Sequence, residues 1–155
     1  MSAAGLHDVA SHIQDVSARP SMYIGSVRYD FFAGYVLGFV NASSAKDLDS
    51  FGLWLNIKLE ANAIQVGWPS LLLRLLADLD WSNVDALSQS EHERIVAEAG
   101  PIIAEYLRHR THVGDEHIRV EYEEHRERNA ARFEAEARAA VAAAGFRSRL
   151  HLVEK

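Results

Sequence analysis

The chain has 155 residues, 48% of them hydrophobic and 25% charged, and no cysteine. That length fits one domain of the usual ~100–200 residues, and the composition excludes a wholly disordered chain, a collagen-like repeat and a disulfide scaffold. Sixteen Lys and Arg against 22 Asp and Glu leave a formal charge of −6, which is poorly suited to phosphate backbones, so no nucleic-acid partner is expected.

The first segment, 4–18, reads as a helix, because Leu6, Val9, Ala10, Ile13 and Val16 recur at helical spacing. Pro20 stops it by pushing the preceding residue out of the α region. Ser21–Ser26 reads as a short loop with a glycine at 25. Residues 29–44 predict a second helix with a wide stripe of Phe31, Phe32, Tyr35, Val36, Phe39 and Val40. Gly34 and Gly38, four apart on one side of that helix, would allow a close backbone neighbour.

Over 52–67 the period reads as two. Leu53, Leu55, Ile57 and Leu59 alternate with Trp54, Asn56, Lys58 and Glu60. Ala61-Asn62 turns the chain and Ala63–Val66 runs back, which predicts a β-hairpin. In that reading Trp54 and Lys58 face away from the core.

Beyond Pro69 the chain reads as helical to its end. Ser70 caps a helix over 71–79, and a polar connection with Trp81 follows. Ser90 and Glu93 fit a capping box, and Ile95, Val96, Ala99, Ile102, Ile103, Tyr106 and Leu107 form the next apolar face. Gly100-Pro101 predicts a kink or break there. Thr111–Asp115 reads as a turn. A last helix runs over 117–144, with a thin stripe of Ile118, Tyr122, Phe133, Ala140, Val141 and Ala144, and Gly145 reads as its stop.

The start, MSAAGLHDVASHIQDV, has no apolar core of a secretory signal. The longest apolar run, Leu71–Leu79, is broken by Arg74 and Asp78 and falls short of the ~20 residues that span a bilayer. The expected location is cytoplasmic, with no membrane partner.

One segment is more specific. Arg19-Pro20-Ser21-Met22-Tyr23-Ile24-Gly25 resembles the RPGMYIG segment of the GHKL-type ATPase domain near the start of the DNA gyrase B subunit, matching six of its seven positions. The resemblance covers roughly 6–70 and implies half of a GHKL domain: helix, loop, helix and β-hairpin. The expected fold class is therefore α+β, in a single domain with a GHKL-like part, 1–70, and a helical part, 71–155. The family's catalytic groups do not carry over. Its glutamate base falls on Gly38 or Leu37, and its magnesium-binding asparagine on Ala42 or Asn41. Its adenine-binding aspartate is missing, because no acid lies between Glu60 and Asp78. A general base must stand beside the attacking water, so ATP hydrolysis and a nucleotide cofactor are not expected.

Two readings of the motif segment stay open. In one, Met22 and Ile24 fill the core and Gly25 takes a conformation that other residues resist. In the other, an exposed loop meets a partner through Arg19 and Tyr23. His109, His112 and His117, beside Asp115 and Glu116, have either a zinc-like ligand set or a polar interhelix turn; the turn is preferred, and no metal is expected.

The expected function is a non-enzymatic binding protein, such as a toxin-neutralising immunity protein or antitoxin, whose acidic surface suits a basic partner. Its candidate binding residues are Arg19, Tyr23, Asn41, Glu123, Glu124 and Glu127. One alternative is a nucleotide or small-ligand sensor with a pocket between helix 29–44 and the hairpin. Another is a structural module that oligomerises through helix 117–144.

Overall fold

A computed structural model describes residues 3–42, 48–63 and 65–153, with side chains described except at 3–7, 49 and 143–153. Seven α-helices follow in order: α1 (Ala3–Ala18), α2 (Ser21–Ile24), α3 (Tyr29–Ala42), α4 (Asp49–Lys58), α5 (Trp68–Ala77), α6 (Gln89–Val113) and α7 (Asp115–Val153). A 3-10 helix, Trp81–Ala86, joins α5 to α6. Among the described residues there is no strand. The fold is all-α, so the expected α+β class is wrong, and so is the half GHKL domain built on it.

The failure lies at 52–67. Phe51, Trp54 and Leu55 are buried, whereas Leu53, Ile57 and Leu59 are only partly so. That spacing of three and four is helical. Apolar residues stand at both parities here, so a period of two was satisfied by coincidence. Within α4, Asp49–Lys58, stand two leucines, a good helix former, and a single β-branched residue, Ile57. Helix α4 ends in a Schellman turn. The Glu60 N–H donates to the Ile57 carbonyl (3.1 Å) and the Ala61 N–H to the Asn56 carbonyl (2.9 Å), with Glu60 itself left-handed at φ 50°. The Asn56 side chain then ties down the following loop. It donates to the Gly52 carbonyl and accepts from the Ala63 N–H (2.7 Å). Ile64, on the expected return strand, lies outside the described residues.

Two compact units divide the chain, Met1–Tyr122 and Glu123–Lys155. In the first, the most extensive helix contact is between α1 and α6, with α3 packed on both and α5 on α6. Val9, Ile13 and Val16 of α1 meet Ile95, Val96, Ala99 and Ile103 of α6 in one core with Phe32 and Val36 of α3. The side chain of Leu6, on the expected α1 stripe, is outside the described set. Gly100 makes the α1–α6 crossing close. A Cβ built there would stand 1.9 Å from Ser17 Oγ and 3.2 Å from the Ile13 carbonyl oxygen. By contrast, among the described residues nothing stands within 4 Å of a Cβ built at Gly34 or Gly38, and both are exposed. Among the described residues, no close neighbour uses the room these glycines leave.

Pro101 does not break α6. Gly100 faces α1 while Pro101 is exposed, so the lost backbone bond falls on the wet side of the helix, where water can hydrate the freed carbonyl. The capping box is set two residues earlier than expected. Ser88 is the cap, receiving the Glu91 N–H, while the Glu91 carboxylate accepts from the Ser88 N–H at 2.7 Å. Helix α6 continues to Val113, and Gly114 at φ 81° is the whole junction with α7. Gly145 does not stop α7. One interior glycine costs about 1 kcal/mol relative to alanine, and no proline follows.

The second unit is helix, polar on most faces. Exposed ion pairs Glu123–Arg126, Glu124–Arg128, Arg132–Glu136 and Glu134–Arg138 run along it, each worth about 0.2–0.5 kcal/mol. Among the described residues no helix is long and apolar enough to cross a membrane.

Candidate binding surface

The segment that resembled a nucleotide-site motif folds into the turn between α1 and α3. Helix α1 closes with the Arg19 N–H donating to the Asp15 carbonyl (3.0 Å). Pro20 starts α2, its carbonyl accepting from the Tyr23 and Ile24 N–H groups (3.0 and 2.9 Å). Gly25 at φ 69° ends that turn in a region glycine favours. No residue of α2 is buried. Met22 is 71% exposed and Tyr23 37%, while Ile24 packs against the core. Met22 therefore does not fill the core, whereas Ile24 and Gly25 are placed as the core-filling reading expected, and Arg19 and Tyr23 are exposed as the other reading needs.

On one side of the turn stands an aromatic cluster. The His12 ring of α1 stacks on Phe39 of α3 (centroids 4.2 Å apart) and meets Tyr23 edge-on (5.5 Å). Its Nε2 lies 2.8 Å from the Tyr35 hydroxyl. Tyr35 and Phe39, one helical turn apart, stack on each other. Burial raises the Tyr35 phenol above its ordinary value, and the neighbouring Tyr23 adds to the shift. The rings hold one another in place, so a contact with them orders little that is not already ordered.

On the other side is an open groove of about 450 Å³, lined by Ser17, Arg19, Pro20, Met22, Val27 and Glu93 among others. Arg19 at its rim is exposed and pairs with Asp15 at 3.6 Å. Further along α3, Phe31 and Leu37 are 50% and 45% exposed. Helix α3 carries no charged residue after Asp30. Asp30 is itself held by Arg28 (2.9 Å). Burial pushes the Asp30 carboxyl up, but the Arg28 bonds outweigh burial and leave it below the usual range. A helix apolar on nearly every face belongs in an interior, yet this one shows an uncharged arc to solvent.

Of the expected binding residues, Arg19 and Tyr23 share this surface. Asn41 is exposed near the end of α3. Glu123, Glu124 and Glu127 are exposed on the second unit, the first two engaged with Arg126 and Arg128. His12, Tyr35 and Phe39 escaped sequence reasoning as a site. The Tyr35–Phe39 pair and Tyr23 were visible as aromatics, but nothing local marks His12 as their neighbour 23 residues away.

The histidine-rich junction has its own arrangement. His109 and His117 both approach the Glu121 carboxylate, at 3.7 and 3.2 Å, while His112 is exposed. Asp115 is taken by Arg110 (2.6 Å) and Ser50. Among the described residues no group of three such side chains is placed to hold a metal ion. The hairpin expected as one wall of a pocket beside helix 29–44 is not formed among the described residues; α4 occupies most of its first strand. No protein-family model, curated protein or solved structure matches the chain, and in an all-helical fold the gyrase-like segment at 19–25 marks no GHKL domain.

Proposed function

We propose that this chain is a non-enzymatic protein-binding module that engages its partner through the face formed by α1, α2 and α3. The observation that carries this reading is the placement of Met22 and Tyr23. A flexible thioether and an aromatic ring are presented to solvent on a turn with no buried residue, between an open groove and a ring cluster. Interfaces favour these residue types, and rigid aromatic anchors bind at low entropic cost. The formal charge of −6 favours a cationic partner, because complementary fields speed encounter. A basic toxin held in check is one form such a partner takes, and Glu123, Glu124 and Glu127 would add to the steering field.

The test is capture of a partner by immobilised wild-type protein, compared with Met22→Asp and Tyr23→Ala. Met22→Asp changes a well-exposed side chain and should melt as wild type; Tyr23→Ala also removes the ring contacts with His12 and Tyr35, so its capture is compared below its own melting temperature, with far-UV circular dichroism showing it folded. The expected result is loss of the cross-linked partner from both variants. The same partner bound equally by all three proteins would refute the assignment of this face.

A further inference from the structure

From the position of its one internal sulfur atom, we infer that Met22 is an oxidation site that switches this surface from apolar to polar. The inference rests on the binding role proposed for the face. The chain has no cysteine and two methionines, Met1 and Met22. Met22 is 71% exposed and lines the groove beside Arg19 and Pro20, next to Tyr23. Oxidation of a thioether follows access, and this side chain is open to an oxidant of any modest size.

The co-reactant is a hydroperoxide. A lone pair on Met22 Sδ attacks one peroxide oxygen, an S–O bond forms and the O–O bond breaks. The oxygen joined to sulfur gives up its proton to the departing hydroxide or alkoxide, which leaves the sulfoxide and water or an alcohol. Sulfur loses two electrons and the peroxide gains them. A dithiol-dependent methionine sulfoxide reductase reverses the change, forming water and a disulfide on the reductase. The product is a strongly polar oxygen at the groove lip. Any ligand that covers Met22 by apolar contact must then strip water from that oxygen, which weakens binding by about tenfold.

The probe is an anionic naphthalene sulfonate dye, whose fluorescence rises on apolar protein surface. Wild-type protein should enhance it, with the groove apolar and Arg19 at its rim. Hydrogen peroxide should add one oxygen to the peptide containing Met22, and the dye affinity should fall about tenfold. Treatment with the reductases should restore it. Met22→Leu should bind the dye and keep that affinity after peroxide, which removes Met1 from the account. Three results would overturn the inference: Met22 left unmodified by a dose that oxidises free methionine, unchanged dye affinity of the sulfoxide, or a Met22→Leu protein as peroxide-sensitive as wild type. Failure of partner capture by the reduced protein would instead count against the protein-binding role. The dye and capture experiments therefore fail separately.

Discussion

Replacing Gly100 with alanine tests the α1–α6 crossing on which the first unit is built. In an ordinary helix this change is favourable by about 1 kcal/mol, because alanine loses less backbone entropy. Here the added Cβ would stand 1.9 Å from Ser17 Oγ, 2.3 Å from Ser17 Cβ and 3.2 Å from the Ile13 carbonyl oxygen. Two of these obstacles are a side-chain root and a backbone atom, so no rotation of a flexible tip relieves them. The helices must separate, and overpacking of this kind costs about 1–3 kcal/mol, occasionally more. A crossing this close places the cost at the upper end, for a net loss of about 2 kcal/mol after the propensity gain. For a chain of this size that lowers the melting temperature by about 4–8 °C. The assay is urea unfolding followed by tryptophan fluorescence, run as a double-mutant cycle with Ser17→Gly. Ser17→Gly alone should be mildly destabilising, since it loses propensity and the bond from Ser17 Oγ to the Gln14 carbonyl (2.9 Å). Combined with Gly100→Ala, it removes both closest atoms and should recover about 1–2 kcal/mol as coupling. A Gly100→Ala protein as stable as wild type, or a coupling near zero, would refute the close crossing.

Three further outcomes follow from the same packing. Trp54→Ala and Leu55→Ala should each cost about 2–5 kcal/mol and Ile57→Ala less, because Trp54 and Leu55 are buried and Ile57 is not fully so; denaturant titration that finds Trp54 as tolerant as Lys58 would restore the alternating-face reading. Glu60→Gly should stabilise the protein by about 0.5–1 kcal/mol in the same assay, since the left-handed backbone at φ 50° suits glycine. Burial pushes the Asp115 carboxyl up, but bonds from Arg110 and Ser50 outweigh burial and hold it below the ordinary value. Its contribution is therefore full above the unfolded carboxyl pKa of about 3.9 and is lost as pH falls through the lower folded value. Asp115→Asn should flatten the loss of stability in that acid window and change little of its slope near neutrality; melting curves across pH that remain parallel to wild type would contradict this.

Much of the helical framework was legible locally. The start of α3, the end of α1 at Pro20 and the apolar face of α6 follow from periodicity and proline geometry, which act over one or two turns. The interval 52–67 was not legible, because Phe51, Leu53, Trp54, Leu55, Ile57 and Leu59 satisfy two periods at once. Only burial against Tyr106 and Trp68 (ring centroids 4.7 and 5.6 Å from Phe51) distinguishes them. Gly100 and the Gly34–Gly38 pair show the same limit from the other side. A glycine looks alike in sequence whether a neighbouring helix presses on it or solvent does. Pro101 reads as a breaker until its side of α6 is known. Six of the seven residues 19–25 matched a motif by identity, but a motif has meaning only inside the fold that positions it, and among the described residues that fold has no sheet. The candidate surface was half visible, as Arg19 and Tyr23. Joining Tyr23 to His12, Tyr35 and Phe39 needed the tertiary packing of three helices, because ring contacts across 23 residues leave no trace in local spacing.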